Sequence, residues 1–105
     1  MALFKKKHIR LILEGRKTQT RRKHRFTWKP GRIYRIKTSW FKSTPYRIQI
    51  LRRFRQRLGD MTEEDAKAEG FNSLEEFRRA WEEIYGHWDP DEEVWVYEFK
   101  LLPEP

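Results

Sequence analysis

The sequence contains no cysteine, which excludes disulfide bonds, thiolate catalysis and cysteine-based zinc sites. No apolar run approaches the roughly 18 residues of a membrane span. The basic N-terminus is not followed by a small-residue cleavage pattern, so we expect a mature cytoplasmic protein without a membrane segment. Internal repeats and low-complexity linkers are also missing, which predicts a single domain over residues 1–105.

Acidic residues are nearly missing from the first part of the chain. Residues 1–58 hold 20 lysines and arginines but a single acid, Glu14, whereas residues 59–105 hold 4 basic residues and 15 acids. The net charge of +8 therefore combines about +19 in the first part with about −11 in the second. Such an asymmetry suggests a surface that binds a polyanion, with an acidic counterweight.

Aromatic residues are abundant and supply the apolar surface that a chain of this polarity needs for a core. Mean hydropathy is −1.02 and 38% of the residues are charged, but the chain holds seven Phe, four Tyr and five Trp. A disordered segment usually lacks such side chains, so we expect one modest core. Trp81 and Trp95 fall at core periodicity, whereas Trp28, Trp40 and Trp88 are candidates for ligand contact.

The hydrophobic periodicity predicts an α+β fold. A first short helix carries the stripe Phe4, His8, Leu11 and Ile12 and ends at Gly15. Two strands are predicted next, one from Gly31 and one over Tyr46–Ile50 with an extended continuation over Leu51–Leu58. Two helices follow, a short one capped by Thr62 that ends at Glu69-Gly70 and a longer one over Leu74–Tyr85 capped by Ser73. The last predicted element is a strand over Val94–Leu101. The last strand is predicted to be central, and we expect the sheet to curl into a small barrel.

The segment Gly15–Arg22 places a lysine, two hydroxyls and several guanidiniums beside a helix C-terminus and a glycine turn. In an ideal strand Thr18, Thr20 and Arg22 would share one face while Lys17 pointed away. Lys17 and Thr20 therefore converge only if Lys17 still belongs to the turn. On residue chemistry alone, a basic turn is the favoured interpretation and a catalytic cluster is the alternative.

The spacing of Gly15, Lys17, Thr20 and Arg22 resembles the GxKxxExR signature of the ASCH family, a branch of the PUA-like barrel superfamily. Later landmarks agree in order, namely LGDMTEEDA from residue 58, EGF from residue 69 and the strand VWVYEF from residue 94. The resemblance covers roughly residues 4–102 and implies a small PUA-like β-barrel with flanking helices. Thr20 stands where the general signature has Glu, a substitution shared with a sub-branch of small bacterial members.

That sub-branch is described as hydrolysing the acetyl amide of N4-acetylcytidine with a Lys, a Thr and a Glu. The resemblance implies that Lys17, Thr20 and Glu69 would take these roles. A threonine hydroxyl is a weak nucleophile and needs an adjacent base, which a lysine provides when burial or cationic neighbours lower its pKa. Glu69 would serve as general acid–base. The alternative for Glu69 is a solvated helix-end carboxylate or an ion-pair partner of Lys17 or Arg22.

A second group of residues combines basic and aromatic side chains. It consists of Arg21, Arg22, Lys23, Arg25, Trp28, Lys29, Arg32, Arg35, Lys37, Trp40 and Lys42. We expect this group to contact nucleic acid, because cations neutralise phosphates and exposed aromatic rings stack on bases. An arginine series would extend the surface along a strand: Arg47, Arg52, Arg53, Arg55 and Arg57. The alternative is a solvated surface that the acidic helices balance.

These observations predict that the protein binds RNA, a nucleotide or a nucleoside in a basic cleft. Lys17, Thr20 and Arg22 would form its floor and Glu69 its edge. The expected ligand contacts are Gly15, Arg16, Thr18, Arg21, Arg22, Lys23, Arg25, Trp28 and Trp40. The alternative functions are an amidohydrolase acting on N4-acetylcytidine or a related nucleoside, a less favoured ribonuclease, and a basic surface that docks an acidic protein.

Histidine spacing gives no sign of a metal site. His8, His24 and His87 are not paired at a ligand spacing, and His8 is expected to be a partly buried core residue. We therefore predict no metal and no cofactor, and a monomer is the default.

Overall fold

The computed structural model describes residues 2–24, 26–39 and 41–103. In chain order these residues form β1 (Ala2–Leu3), α1 (Lys6–Leu13), β2 (Gln19–Arg22), β3 (Ile33–Lys37), β4 (Ser43–Arg57), a 3-10 turn (Leu58–Asp60), α2 (Glu63–Ala68), α3 (Leu74–Tyr85) and β5 (Glu93–Leu101). The predicted α+β class is confirmed. None of the helices in this described part is long and apolar enough to cross a membrane.

The strands form one mixed sheet in the order β1-β3-β4-β5-β2, which curls into a half-barrel. β1 runs parallel to β3, and all the other neighbouring pairs are antiparallel. β4 is 15 residues long and contains an irregularity between Ile50 and Arg52, where a bulge lets a long strand bend. β5 lies between β4 and β2 and buries Val94, Val96 and Tyr97, so the prediction of a central strand is confirmed.

Helix α1 ends where the sequence predicts, but its buried face differs from the predicted stripe. Phe4 precedes the helix, and Ile9 and Ile12 are its buried residues. Leu11 and His8 of the predicted stripe are partly buried, whereas Ile9, which the stripe omits, is buried. Gly15 adopts a φ of +76°, which supplies the left-handed turn that stops the helix.

Helices α2 and α3 begin at the predicted capping residues. Thr62 accepts a hydrogen bond from the Asp65 backbone N–H while the Asp65 carboxylate accepts one from Thr62, a reciprocal capping box. Ser73 caps α3 by accepting from the Glu76 backbone N–H. The helix predicted over Leu74–Tyr85 is confirmed at both ends.

Two hydrophobic clusters hold the fold together. One lies against the sheet, with Phe4, Ile12 and Phe99 among its residues. The other lies beneath α3 and includes Leu58 and Phe77. Together they cover both faces of β5, because Tyr97 and Phe99 belong to the first cluster and Val94 to the second.

The tryptophans only partly follow the sequence-based expectation. Trp81 is buried in the α3 cluster, which confirms the prediction, and Trp95 is partly buried against the sheet cluster. Trp28 is only 3% exposed, so its predicted role as a ligand contact is wrong. Its ring stacks on Phe26 at 5.0 Å and meets the edge of Tyr97 at 5.1 Å, because the loop carrying it folds over the sheet.

Candidate functional site

A cavity of about 410 Å³ lies between the start of the chain, strand β2 and helix α3. Its polar side is formed by Lys17, Thr20, Arg21, Arg22 and Glu69. Its apolar side is formed by Phe71, Phe77, Trp81, Ile84 and Tyr85. A volume of this size, with mainly apolar lining and a few converging polar groups, is typical of a small-molecule site.

Lys17 and Glu69 meet at the floor of the cavity. The Lys17 ammonium donates to the Glu69 carboxylate oxygen Oε1 at 3.0 Å and to the Glu69 backbone carbonyl at 3.1 Å. The two residues also form a backbone bridge, and they are 2% and 3% exposed. Lys17 reaches this position because it still belongs to the turn after Gly15, and the backbone N–H of Lys17 donates to the carbonyl of Leu11.

The environment of Lys17 favours its neutral form relative to a lysine in water. Burial lowers the pKa of the Lys17 ammonium, while the charge of Glu69 and its hydrogen bond act in the opposite direction. The cations Arg22 and Arg21 add smaller contributions that also lower this pKa. A lysine with a lowered pKa is neutral in a larger fraction of molecules at a given pH, and only the neutral amine can accept a proton.

Arg21 provides the second counter-charge of Glu69. Its Nη1 donates to Glu69 Oε2 at 2.9 Å, and its Nε and Nη2 donate to the Gln56 side-chain carbonyl at 3.1 and 2.9 Å. The guanidinium also lies 3.6 Å from the Asp65 carboxylate. From the sequence we expected Arg21 to lie on an exposed surface that contacts nucleic acid. We also expected any ion-pair partner of Glu69 to be Lys17 or Arg22. Arg21 is instead 5% exposed, because the β2 register turns it toward α2.

The carboxylate of Asp65 is stabilised in its ionised form. Partial burial acts to raise its pKa, but this is outweighed by hydrogen bonds from Thr62 and Gln56 and by the charge of Arg21. The pKa of Asp65 therefore lies below its ordinary value. Asp65 therefore has two roles. It caps α2, and it is a distant counter-ion for Arg21.

Arg22 lies beside Thr20 on the polar side of the cavity. Its Nε donates to the Thr20 hydroxyl oxygen at 3.1 Å, and its Nη2 donates to the Leu3 carbonyl at 3.2 Å. The guanidinium lies 5.1 to 5.4 Å from the centres of three rings, those of Phe4, Phe26 and Trp28. Burial lowers the pKa of Arg22. Among the described residues, Arg22 and not Lys17 is the hydrogen-bond partner of the Thr20 side chain.

Several predicted contact residues lie outside the cavity lining. Gly15 and Thr18 are exposed at the turn, and Arg16 donates to Asn72 at 3.4 Å beside a separate surface depression. Lys23 pairs with Glu92 at 3.6 Å and lies over the Tyr85 ring. Two further predicted contacts fall outside the described residues, namely Arg25 and Trp40.

The arginine series of β4 is largely neutralised by the neighbouring strand and the turn before it. Arg52 pairs with Glu98 at 2.6 Å, Arg55 with Glu93 at 2.9 Å and Arg57 with Asp91 at 2.6 Å. The antiparallel register of β4 and β5 sets Arg52 opposite Glu98 and brings the other two arginines near their acids. These three arginines are therefore less available to a nucleic acid than their spacing suggested.

The sequence missed the aromatic side of the cavity and two groups at its rim. α3 presents Trp81, Ile84 and Tyr85 to the cavity, and Ile84 is 62% exposed. The apolar stripe of α3 was visible in the sequence, but a stripe alone does not tell core residues from residues that line a cavity. Lys5 and His8 line the cavity as well. Burial and then the charge of Lys17 lower the pKa of His8 from 6.5 to about 4, so its ring is neutral at pH 7.

The donor chemistry of the site suits an organic or anionic ligand. In the part of the chain that the structure describes, no group of three or more His, Asp or Glu side chains is placed to hold a metal ion. Lys17, Thr20 and Glu69 line one cavity, as predicted, and combine an amine, a hydroxyl and a carboxylate. This set can transfer protons and bind polar ligand atoms.

Comparison with known structures identifies the fold. An ASCH domain from Lactobacillus crispatus JV V101 superimposes with a TM-score of 0.76 at 19% identity, over 90% of this chain and 69% of that one. A DUF984 protein from Enterococcus faecalis V583 superimposes with a TM-score of 0.67 at 21% identity, over 89% of this chain and 65% of that one. No protein-family model and no curated protein matches the sequence. The chain therefore has the ASCH-domain fold that its signature residues predict.

Proposed function

We propose that this chain binds RNA or a nucleotide in the cavity between β2 and α3. The observation that carries the proposal is the charge of the polar side. Lys17, Arg21 and Arg22 face a single lining carboxylate, that of Glu69. Even if Lys17 is neutral, the two positive charges of Arg21 and Arg22 exceed the single negative charge of Glu69. A cavity with a surplus of positive charge attracts an anionic ligand.

The apolar side of the cavity supports a ligand with a planar ring. Tyr85 is partly buried and presents its ring to the cavity, and its ring centre lies 4.4 Å from that of the buried Trp81, which supports it from behind. A nucleobase stacks on such surfaces regardless of its sequence identity, and each stacked base contributes about 1–3 kcal/mol. A cationic side facing an aromatic side matches the two parts of a nucleotide.

Exposed cations outside the cavity support contacts with a longer RNA. Lys29, Arg32, Arg35 and Lys42 are exposed on the loops and strand near β3. Within the described ranges none of these four makes an ion pair, in contrast to Arg52, Arg55 and Arg57 of β4. Such cations neutralise phosphates and give binding that weakens as salt rises.

A salt titration with a labelled single-stranded RNA, followed by fluorescence anisotropy, tests the proposal. We expect log K to fall linearly with log salt, and the double variant Arg32→Gln/Arg35→Gln to reduce that slope by about 1.4. The matched double variant Arg55→Gln/Arg57→Gln should change the slope less, because both arginines are paired with acids. A flat salt dependence, or no binding at low salt, would contradict the proposal.

A second candidate is hydrolysis of an N4-acyl cytidine in the same cavity. It is supported by the shared lining position of Lys17, Thr20 and Glu69 and by the lowered pKa of Lys17. Arg22 donates to the Thr20 oxygen, and a cationic donor stabilises a developing alkoxide. The three groups line the same cavity, and among the described residues no hydrogen bond joins Thr20 to Lys17 or Glu69, so the reaction requires Lys17 to reach the hydroxyl when substrate is bound.

The reaction would proceed through an acyl-enzyme. The Thr20 oxygen attacks the acyl carbonyl carbon while neutral Lys17 takes the hydroxyl proton, and Lys17 gives that proton to the leaving amine as the C–N bond breaks. Water then cleaves the Thr20 ester, which releases the carboxylic acid and restores the hydroxyl. Glu69 holds Lys17 in place through the 3.0 Å contact.

Incubation with N4-acetylcytidine, followed by chromatography, tests this candidate. We expect cytidine release that Thr20→Val abolishes and that Thr27→Ala, an exposed threonine, leaves unchanged. If the wild type releases no cytidine, or if Thr20→Val is as active as the wild type, the amidohydrolase candidate is wrong.

A further inference from the structure

We propose that the cavity contains a receptor for a terminal phosphate monoester, centred on Arg22. This inference rests on the proposed nucleotide-binding function and adds the anionic group that the ligand must carry. The observation behind it is a guanidinium that lines the cavity without a carboxylate in contact. Among the described residues, Arg22 forms no ion pair, whereas Lys17 and Arg21 both contact Glu69.

The hydrogen bonds of Arg22 leave much of its donor capacity unused. A guanidinium has five N–H donors, and Arg22 uses one on Nε toward Thr20 and one on Nη2 toward Leu3. The remaining three N–H groups have no partner within the described chain. Arg21 differs, since its Nε, Nη1 and Nη2 all donate to side chains of Gln19, Gln56 or Glu69.

Among the described residues no acid contacts Arg22 directly, although the charge of Glu69 acts on it from a distance. Glu69 is the carboxylate of the cavity lining, and each of its two oxygens already binds a cation, Lys17 at 3.0 Å and Arg21 at 2.9 Å. Arg22 is partly buried, and a charge that is partly removed from water without a counter-ion in contact gains when an anion approaches from outside the chain. The cavity is the space from which that counter-ion can approach.

The guanidinium is also held in a fixed orientation. Phe4, Phe26 and Trp28 surround it at 5.1 to 5.4 Å, and the bonds to Thr20 and Leu3 fix its plane. A planar fork with fixed orientation matches the oxygens of a carboxylate or a phosphate in a bidentate contact. Little side-chain freedom remains to be lost when an anion binds.

Further donors on the same cavity favour phosphate over carboxylate. Lys5 contributes an ammonium from the start of α1, and Ser39 contributes a hydroxyl. The Ser39 oxygen accepts from the backbone N–H groups of Phe41 and Lys42, so its own hydrogen remains available to donate. A phosphate monoester has three terminal oxygens, enough for the fork of Arg22 and these two additional donors, whereas a carboxylate has two.

Calorimetric titrations with the four nucleosides and their 5′-monophosphates test the proposal on the wild-type protein. We expect the best-bound monophosphate to bind at least ten-fold more tightly than its nucleoside. Arg22→Gln should reduce this ratio to below about two-fold, while Arg22→Lys should retain part of it. Arg79→Gln is the matched control, because this arginine lies exposed on α3 and pairs only with Glu75 among the described residues.

A second pair of ligands separates the two sources of the phosphate. Preference for a 5′-phosphorylated oligonucleotide over the same oligonucleotide with a 5′-hydroxyl supports an RNA end, and preference confined to the mononucleotides supports a free nucleotide. If wild-type protein binds nucleosides as tightly as monophosphates and shows no preference between the oligonucleotides, the phosphate receptor is wrong and the proposed nucleotide binding stands. If neither mononucleotides nor RNA bind, both proposals fail.

Discussion

Replacing Glu69 by glutamine is expected to destabilise the protein strongly. The carboxylate is 3% exposed and neutralises Lys17 and Arg21, which are themselves 2% and 5% exposed. Removing one partner of a buried ion pair costs about 3–5 kcal/mol. We expect the lower end of this range, because Lys17 can release its proton, while Arg21 stays charged but retains Asp65 at 3.6 Å.

Urea unfolding followed by tryptophan fluorescence measures this loss. With a slope of about 1.5 kcal/mol per molar urea, a loss of about 3 kcal/mol lowers the midpoint by roughly 2 M. Glu75→Gln is the control, since its 2.6 Å pair with Arg79 is about three-quarters exposed and should contribute less than about 1 kcal/mol. Equal losses in the two variants would refute the view that the Lys17–Glu69–Arg21 network is desolvated.

Three other variants test separate parts of the structure. Gly70→Ala should lower the free energy of unfolding by about 2–3 kcal/mol and Gly86→Ala by about 1 kcal/mol, measured by thermal unfolding. Both glycines have a positive φ, but only at Gly70 would the new Cβ meet a neighbour, the Leu11 side chain at 2.8 Å. Trp28→Ala should lower the free energy of unfolding by about 3–5 kcal/mol, since the ring is core; unchanged stability would contradict this. The His8 ring should titrate with a pKa near 4 by NMR, and a measured pKa near 6.5 would contradict this. As the pH drops from 6.5 toward 4, the unfolded state binds more protons at His8 than the folded state does. The free energy of unfolding of the wild type should therefore fall more than that of His8→Phe over this range.

The features that the sequence predicts well are those set by local periodicity and capping chemistry. Helix α3 begins after Ser73, its predicted cap, and ends at Tyr85, the predicted last residue. Strand β1 was missed, because two residues carry no periodicity and its parallel pairing with β3 is a long-range choice. Trp28 was placed wrongly because its sequence neighbours are polar, whereas its burial depends on how the loop packs over Tyr97.

The residues of the candidate site that the family signature names could be predicted from the sequence. Contacts between residues far apart in the sequence could not. The resemblance selected Lys17, Thr20 and Glu69, and all three line the cavity. The contact of Arg21 with Glu69 joins residues 48 positions apart, which no local pattern indicates. An apolar helical stripe likewise does not distinguish side chains that fill a core from those of α3 that line a cavity.

The pairing of β2 with β5 makes the candidate site depend on a strand that lies more than 70 residues later in the sequence. In the described part of the protein β2 hydrogen-bonds to β5, and the Phe26 backbone N–H donates to the Tyr97 hydroxyl, 71 residues later. Contacts between such distant segments form slowly, because a long loop must close before they are made. During synthesis on the ribosome, Thr20 and Arg22 therefore have no β-sheet neighbour until β5 has emerged. A nascent chain that ends before β5 should therefore lack the strand pairing that holds Thr20 and Arg22 beside the cavity.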